Sequence, residues 1–394
     1  MTPFHHPVLI VSAVAVLAPL LAEVPLGVRL PVVVLEVVLG IVIGPHVLAL
    51  VEPNPFLETM QTIGTGAMLF MAGTEVDFGQ IRGRALSLAL AGWGTSLALA
   101  LGAALAVHAG AGVQRPILVT IALTTTSLGA LLPMLRDDGQ LDSTFGRMVV
   151  AAGTIGEVAP IVAVSLALSQ RYTTLEEFGF LVVFLLLVGL AAAVGLAARP
   201  PRVVALFDRT MHASTQLPVR FTLFLVTALF VMATEFGFEG ILGAFAAGMV
   251  VGLATRGEEG ETFRVKIDAV CFGWFTPFFF VGTGLGFDLG ALTREPRTML
   301  MTPAFVLLFL VVRGLPVLLY RDAIPRAARL PFALYSSVAS LGLVVVIAQI
   351  GLRTSAMSPD VAQALIGAAL CSLLLFPVVA TLLSRGSRAS SGAA

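Results

Sequence analysis

The chain has 394 residues, of which 58% are hydrophobic and 12% charged, with a formal net charge of +0 and a mean hydropathy of +0.99. Soluble domains carry about 25% charged residues, so the composition excludes a soluble globular protein and indicates a polytopic membrane protein. The neutral charge balance gives no footing for nucleic-acid binding, and Cys271 and Cys371, both in apolar runs, form neither a disulfide framework nor a metal cluster.

Hydropathy predicts thirteen spans, at about 8–22, 30–50, 57–75, 86–109, 115–135, 147–168, 179–198, 219–235, 239–254, 268–288, 299–320, 330–352 and 360–384. The first lacks a basic leader and reads as a span rather than a cleaved signal. In the second, VVVLEVVLGIVIGPHVL, Glu36 is intramembrane; it lines a funnel for incoming cations or hydrogen-bonds within the bundle. The third closes on Glu75 and Asp77, and the tenth on Asp288, all read as interfacial or capping. The fifth span contains Thr124, Thr125, Thr126 and Ser127 followed by Leu128-Gly129. Such side chains compete for backbone hydrogen bonds, and glycine permits non-helical dihedrals, so a helix break is expected there.

The sixth span, MVVAAGTIGEVAPIVAVSLAL, carries Glu157 roughly 14 Å deep at 1.5 Å per residue, near the midplane of a core about 30 Å thick. A charge at that depth costs at least about 2.5–3.5 kcal/mol, and residues that bear it usually serve protons or ions. Arg313, in the eleventh span, lies roughly 11 Å from its cytoplasmic end and is expected beside Glu157, where pairing eases the cost of both. In the twelfth span Ser336, Ser337 and Ser340 repeat the break signal of the fifth. Small residues also permit close helix packing, and an arginine can snorkel to the headgroups, so both structural alternatives stand beside the functional ones.

Charge distribution orients the chain. With the N-terminus outside, 17 of the 23 Lys/Arg fall on the inner side and 5 on the outer, leaving Arg313 within the membrane, as the positive-inside rule requires. LFMAGTEVDFG, with Asp77, matches FFFVGTGLGFDLG, with Asp288, at an offset of 211, and Ser127-Leu128-Gly129 matches Ser340-Leu341-Gly342 at 213. Pro116 and Pro331 are read as opening the same two spans. Residues 1–168 are then a first six-helix repeat, 169–218 a linker helix with a cytoplasmic loop, 219–384 a second repeat and 385–394 a short cytoplasmic tail. One extra helix between six-helix copies inverts the second, the arrangement of many secondary transporters with sites on broken helices.

These motifs together resemble the monovalent cation/proton antiporter superfamily, in its Kef/NapA-like branch, over nearly the whole chain. The resemblance rests on VVVLEVVLGIVIGPHVL, LFMAGTEVDF, TTTSLG, GRMVVAAGTIGEV, FTPFFFVGTGLGFDL and Arg313. It implies an all-α antiporter fold with two crossed discontinuous helices, a transport core and a dimerisation region interleaved in the repeats, a homodimer, and a location in the bacterial inner membrane. It also implies that Glu157 is the ion-binding acid and Arg313 the family's intramembrane base. Gly156 departs from the acidic or amide residue usual before that acid. The short ending RGSRASSGAA leads us to expect none of the nucleotide gating of the Kef members.

The expected mechanism is competition between a proton and Na⁺ or K⁺ for Glu157. Thr124–Ser127, Gly156, Ser336, Ser337 and Ser340 supply oxygen ligands or space, and one carboxylate carrying either ion gives electroneutral exchange. No cofactor, transition metal or enzyme motif is expected, since His5, His6, His46, His108 and His212 show no metal-ligand spacing. Two other classes stay open on sequence: a proton-coupled transporter of an organic anion or other solute, and a sensor that transports nothing.

Overall fold

The computed structural model describes residues 7–24, 31–76, 82–111, 115–137, 139–141, 143–168, 174–197, 206, 209–211, 213–255, 260–288, 290 and 296–391. All regular structure among them is helical. In chain order the helices are α1 Pro7–Ala22, α2 Val32–Ile43, α3 Pro55–Glu75, α4 Arg84–Ala111, α5 Pro116–Leu123, α6 Leu128–Asp137, α7 Thr144–Leu168 and α8 Thr174–Ala197. There follow α9 Leu217–Glu235, α10 Gly240–Ala254, α11 Glu261–Val270, α12 Thr276–Leu285, α13 Pro296–Gly314, α14 Arg326–Ser336, α15 Leu341–Arg353 and α16 Pro359–Ser391.

Six helical stretches among the described residues are long and apolar enough to cross a membrane, and α14 with α15, bent by 43°, makes a seventh. Five shorter apolar helices accompany them. The second predicted span is helical only over Val32–Ile43, because Gly44 takes an extended conformation before Pro45, and a residue before proline is steered out of the helical region. Pro331 does not open its helix as read from the sequence. It lies inside α14, which begins at Arg326. The basic first turn of α14 had lowered the hydropathy there. Asp77 lies outside the described residues.

The chain divides into two compact units. The first comprises Met1–Val76 and Ser165–Gly286. Its α3 starts at a capped end: Asn54 Oδ1 accepts the N–H groups of Phe56 and Leu57 at 3.1 and 3.0 Å, with Pro55 at the first helical position. Its tightest packing is made by glycines. A Cβ on Gly73 of α3 would sit 2.2 Å from the Phe245 carbonyl oxygen of α10, and one on Gly248 of α10 only 2.0 Å from that of Phe70 on α3. The same reciprocal contact joins α2 to α12: Cβ atoms on Gly40 and Gly284 would meet the carbonyl oxygens of Val281 and Val37 at 2.4 and 2.2 Å. Helices in lipid gain stability from such close backbone approach. Between α11 and α12 the chain forms a π turn, Cys271–Phe275, just ahead of Pro277, which has no N–H to continue the ladder.

The second unit comprises Asp77–Val164 and Phe287–Ala394, and contains the two interrupted helices. Helix α5 stops at Leu123 and α6 begins at Leu128; α14 stops at Ser336 and α15 begins at Leu341. The polar runs themselves close the first halves. Thr124 and Thr125 hydroxyls donate to the carbonyls of Ile121 and Ala122 at 2.7 and 2.8 Å, and the Ser337 hydroxyl to that of Ala333 at 2.7 Å. Carbonyls that an unbroken helix would have satisfied are thereby satisfied locally.

Candidate functional site

The two breaks meet in the second unit. Ser127 N–H donates to the Val338 carbonyl at 2.8 Å, and Thr126 N–H to the Gly156 carbonyl on α7 at 2.9 Å. Ala339 N–H donates to the Ser372 hydroxyl on α16 at 3.1 Å, and that hydroxyl donates in turn to the Ala369 carbonyl. Each unwound strand is therefore pinned both to a neighbouring helix and, through Ser127, to the other strand.

Glu157 is 6% exposed. Its Oε2 accepts the N–H of Leu128, the first residue of α6, at 3.3 Å. A helix N-terminus carries partial positive charge, which favours an anion there. The carboxylate thus sits at the mouth of a half-helix that exists only because the fifth span is interrupted.

Arg313, 4% exposed, occupies the opposite kind of environment. Its Nε donates to Thr126 Oγ1 at 2.8 Å and to the Ser336 carbonyl at 3.3 Å. Nη1 reaches Ser96 Oγ at 3.3 Å, and Nη2 the Ala152 carbonyl at 3.1 Å. Thr126 Oγ1 also donates to the Ser336 carbonyl at 2.7 Å. One guanidinium therefore ties α4, the first break, α7 and the end of α14 together. The sequence reading anticipated Thr126, Ser336 and Gly156 around this centre. It missed Ser96, the Ala152 carbonyl and Ser372. Ser96, next to Thr95 in the fourth predicted span, and Ser372 in the last one were each a polar residue in an apolar run; a carbonyl ligand leaves no signal in sequence.

The remaining residues fall as follows. Thr124, Thr125 and Ser337 are 0% exposed and Ser340 is 7% exposed at the start of α15. Hydroxyls whose donors are spent on backbone carbonyls keep lone pairs for a hard cation. Ser336 Oγ is buried and has no hydrogen-bond partner among the described residues. Glu36, 4% exposed, belongs to α2 in the first unit.

Comparison with known proteins agrees with this architecture. Residues 12–385 match the family described as sodium/hydrogen exchanger, transmembrane, so the chain belongs to that family, one of membrane transporters and not of enzymes. It is 26% identical over 389 residues to the putative Na(+)/H(+) antiporter YjbQ of Bacillus subtilis, covering 94% of this chain and 61% of YjbQ. The chain therefore spans less than two thirds of that relative's length. Against the Na(+)/H(+)-K(+) antiporter GerN of Bacillus cereus it is 26% identical over 280 residues, covering 68% of this chain and 69% of GerN. The structure of the sodium proton antiporter MjNhaP1 from Methanocaldococcus jannaschii at pH 8 has the same fold, with a TM-score of 0.66 at 18% identity, covering 96% of this chain and 97% of that one.

Proposed function

We propose that this member of the sodium/hydrogen exchanger family exchanges protons for Na⁺ or K⁺ by alternating access, with Glu157 as the single carrier. The observation that carries the reading is the position of that carboxylate. It is buried in α7 with Oε2 on the first N–H of a half-helix, where a proton and a cation compete for one charged group. Thr124, Thr125, Ser127, Ser337 and Ser340, beside the unwound backbone, supply the neutral oxygens that an alkali cation requires. Because one carboxylate carries either one proton or one monovalent ion, the exchange is electroneutral.

The topology that goes with this function has thirteen spans, an outer N-terminus and an inner C-terminus, arranged as two inverted repeats. The charge asymmetry of the loops and the matched helix breaks support it. A homodimer in a bacterial inner membrane, with Glu36 beside the route by which cations enter, completes the proposal. Substrate anion binding at Arg313 is the weaker reading, since its guanidinium already donates to four oxygens of the protein.

Purified protein in proteoliposomes tests the proposal. A pH gradient should drive Na⁺ or K⁺ flux that is unchanged when the membrane potential is clamped at different values. Glu157→Gln should abolish it, and wild-type-like exchange by that variant would sink the assignment.

A further inference from the structure

We infer that Gly156 is the seat of the Arg313 guanidinium: the missing side chain, rather than any ligand atom, is what this position contributes. The inference deepens the exchange reading and rests on it for its transport readout. In α7, Ala152 and Gly156 stand one turn apart on the same face. A helical Cβ tilts toward the N-terminus and covers the turn before it, so a side chain at 156 would lie over the Ala152 carbonyl. Arg313 Nη2 donates to that carbonyl at 3.1 Å. A Cβ built on Gly156 would lie 2.6 Å from Nη2, and 2.8 Å from both Cβ and Oγ1 of Thr126. Nor is the space spare, because Thr126 N–H holds the Gly156 carbonyl at 2.9 Å from the same side.

The consequence concerns how the buried guanidinium at the crossing of the two breaks is held. The seated guanidinium is fastened to the Thr126 hydroxyl, the Ser96 hydroxyl and the carbonyls of Ser336 and Ala152. None of these four oxygens titrates in the physiological range. The positive charge is therefore anchored one residue from Glu157 by partners that do not change when Glu157 exchanges a proton for a cation. Gly156 is a positioning residue acting through Arg313, and replacing it breaks the clasp between the two helix breaks.

Three variants and a control read this out in proteoliposome flux and in thermal melting of the detergent-purified protein. Gly156→Ala should lower exchange by about tenfold or more, the scale of an overpacked core site. Arg313→Lys removes the Nη2 branch that a methyl group would strike, and replaces the four guanidinium hydrogen bonds with the three N–H groups of one ammonium. Combined with Gly156→Ala, it should leave a protein more active and more thermostable than Gly156→Ala alone. Gly153→Ala, one turn away, would place its Cβ 3.2 Å from a Leu128 methyl, the end of a side chain that can yield by a few tenths of an ångström, and should lose far less than Gly156→Ala; a loss of helix flexibility would affect both glycines alike. If Gly156→Ala yields no folded protein, recovery of folded protein in the double variant supports the seat. Failure of the double variant where Arg313→Lys folds overturns it. Wild-type behaviour of Gly156→Ala, or additive losses in the double variant, also overturns it. Absence of Na⁺, K⁺ and Li⁺ flux in the wild type would defeat the exchange reading alone, because the melting series still reports on the seat.

Discussion

The paired glycines of the first unit allow a prediction whose sign is unusual. Gly→Ala within a helix ordinarily stabilises it, by up to about 1 kcal/mol. At Gly248 the added methyl would lie 2.0 Å from the Phe70 carbonyl oxygen, against an ordinary contact of 3.4 Å or more, so α3 and α10 would have to part by about 1.4 Å. Overpacking of this kind costs about 1–3 kcal/mol. Each single variant, Gly73→Ala or Gly248→Ala, should thus lose about 1–3 kcal/mol, a fall of roughly 2–12 °C in midpoint for a cooperative unit of some 200 residues. The two sites face each other, with Gly73 Cα 2.9 Å from the methyl built on Gly248, so once one alanine has separated the helices the second costs little. The double variant should therefore lose clearly less than the sum. Reaction of buried Cys271 with a fluorogenic maleimide during a temperature ramp reports the transition. Gly66→Ala on the same helix, with nothing within 4 Å of its built Cβ, should be neutral or stabilising. Additive losses at Gly73 and Gly248, or a neutral single variant, would refute the reasoning.

Two further predictions concern the second unit. Thr126→Val keeps the shape but deletes an oxygen that accepts from Arg313 at 2.8 Å and donates to the Ser336 carbonyl at 2.7 Å. It should cost about 1.5–3 kcal/mol of stability and most of the exchange rate, while Thr126→Ser retains both, measured by melting and by flux in parallel. Ser336→Ala removes a buried hydroxyl that has no hydrogen-bond partner among the described residues. Melting should be unchanged or slightly raised, and a weakened apparent cation affinity in the same variant would assign Ser336 Oγ to the cation.

Legibility in the sequence followed the range of the interaction. The helix breaks were readable because Thr124, Thr125 and Ser337 end their helices with bonds to carbonyls three or four residues away, an effect that local composition encodes. Glu157 and Arg313 were readable as single expensive charges in apolar runs. The environment of Arg313 was readable only in part, through Thr126 and Ser336 in the two polar runs. Two of its four acceptors are backbone carbonyls, and Ser96 lies 217 residues away. Gly156 was legible only as a departure from a pattern, a missing acid. Its contact with Nη2 depends on which side chain approaches that face of α7, and spacing within α7 carries no such information. The glycine clasps were hidden for another reason: with 39 glycines in the chain, no single one stands out until its neighbour is known.

The clasps nevertheless bear on the proposed repeat more strongly than the matched strings did. The alignment of the third and tenth spans pairs Gly73 with Gly284, 211 residues on. In the structure each of these glycines faces a glycine of another helix, Gly248 and Gly40, themselves 208 residues apart, and each contact is to the carbonyl three residues before the partner glycine. A chance string match has no reason to reproduce a packing geometry. In the second unit Thr126 and Ala339, 213 residues apart, each donate a backbone N–H to the helix that comes after its broken pair, α7 and α16. The charges depart from this correspondence. At the same offset Glu157 falls on Leu370, and Arg313 falls back on Ala100, both apolar and buried. On the proposed repeat, each copy keeps one of two opposite charges and the other copy fills its place with hydrocarbon, which leaves one carboxylate at this pair of positions. The proposed one-for-one exchange accords with that asymmetry, and acidic substitution at Leu370 is the change that would set a second carboxylate at the position equivalent to Glu157 in the second copy.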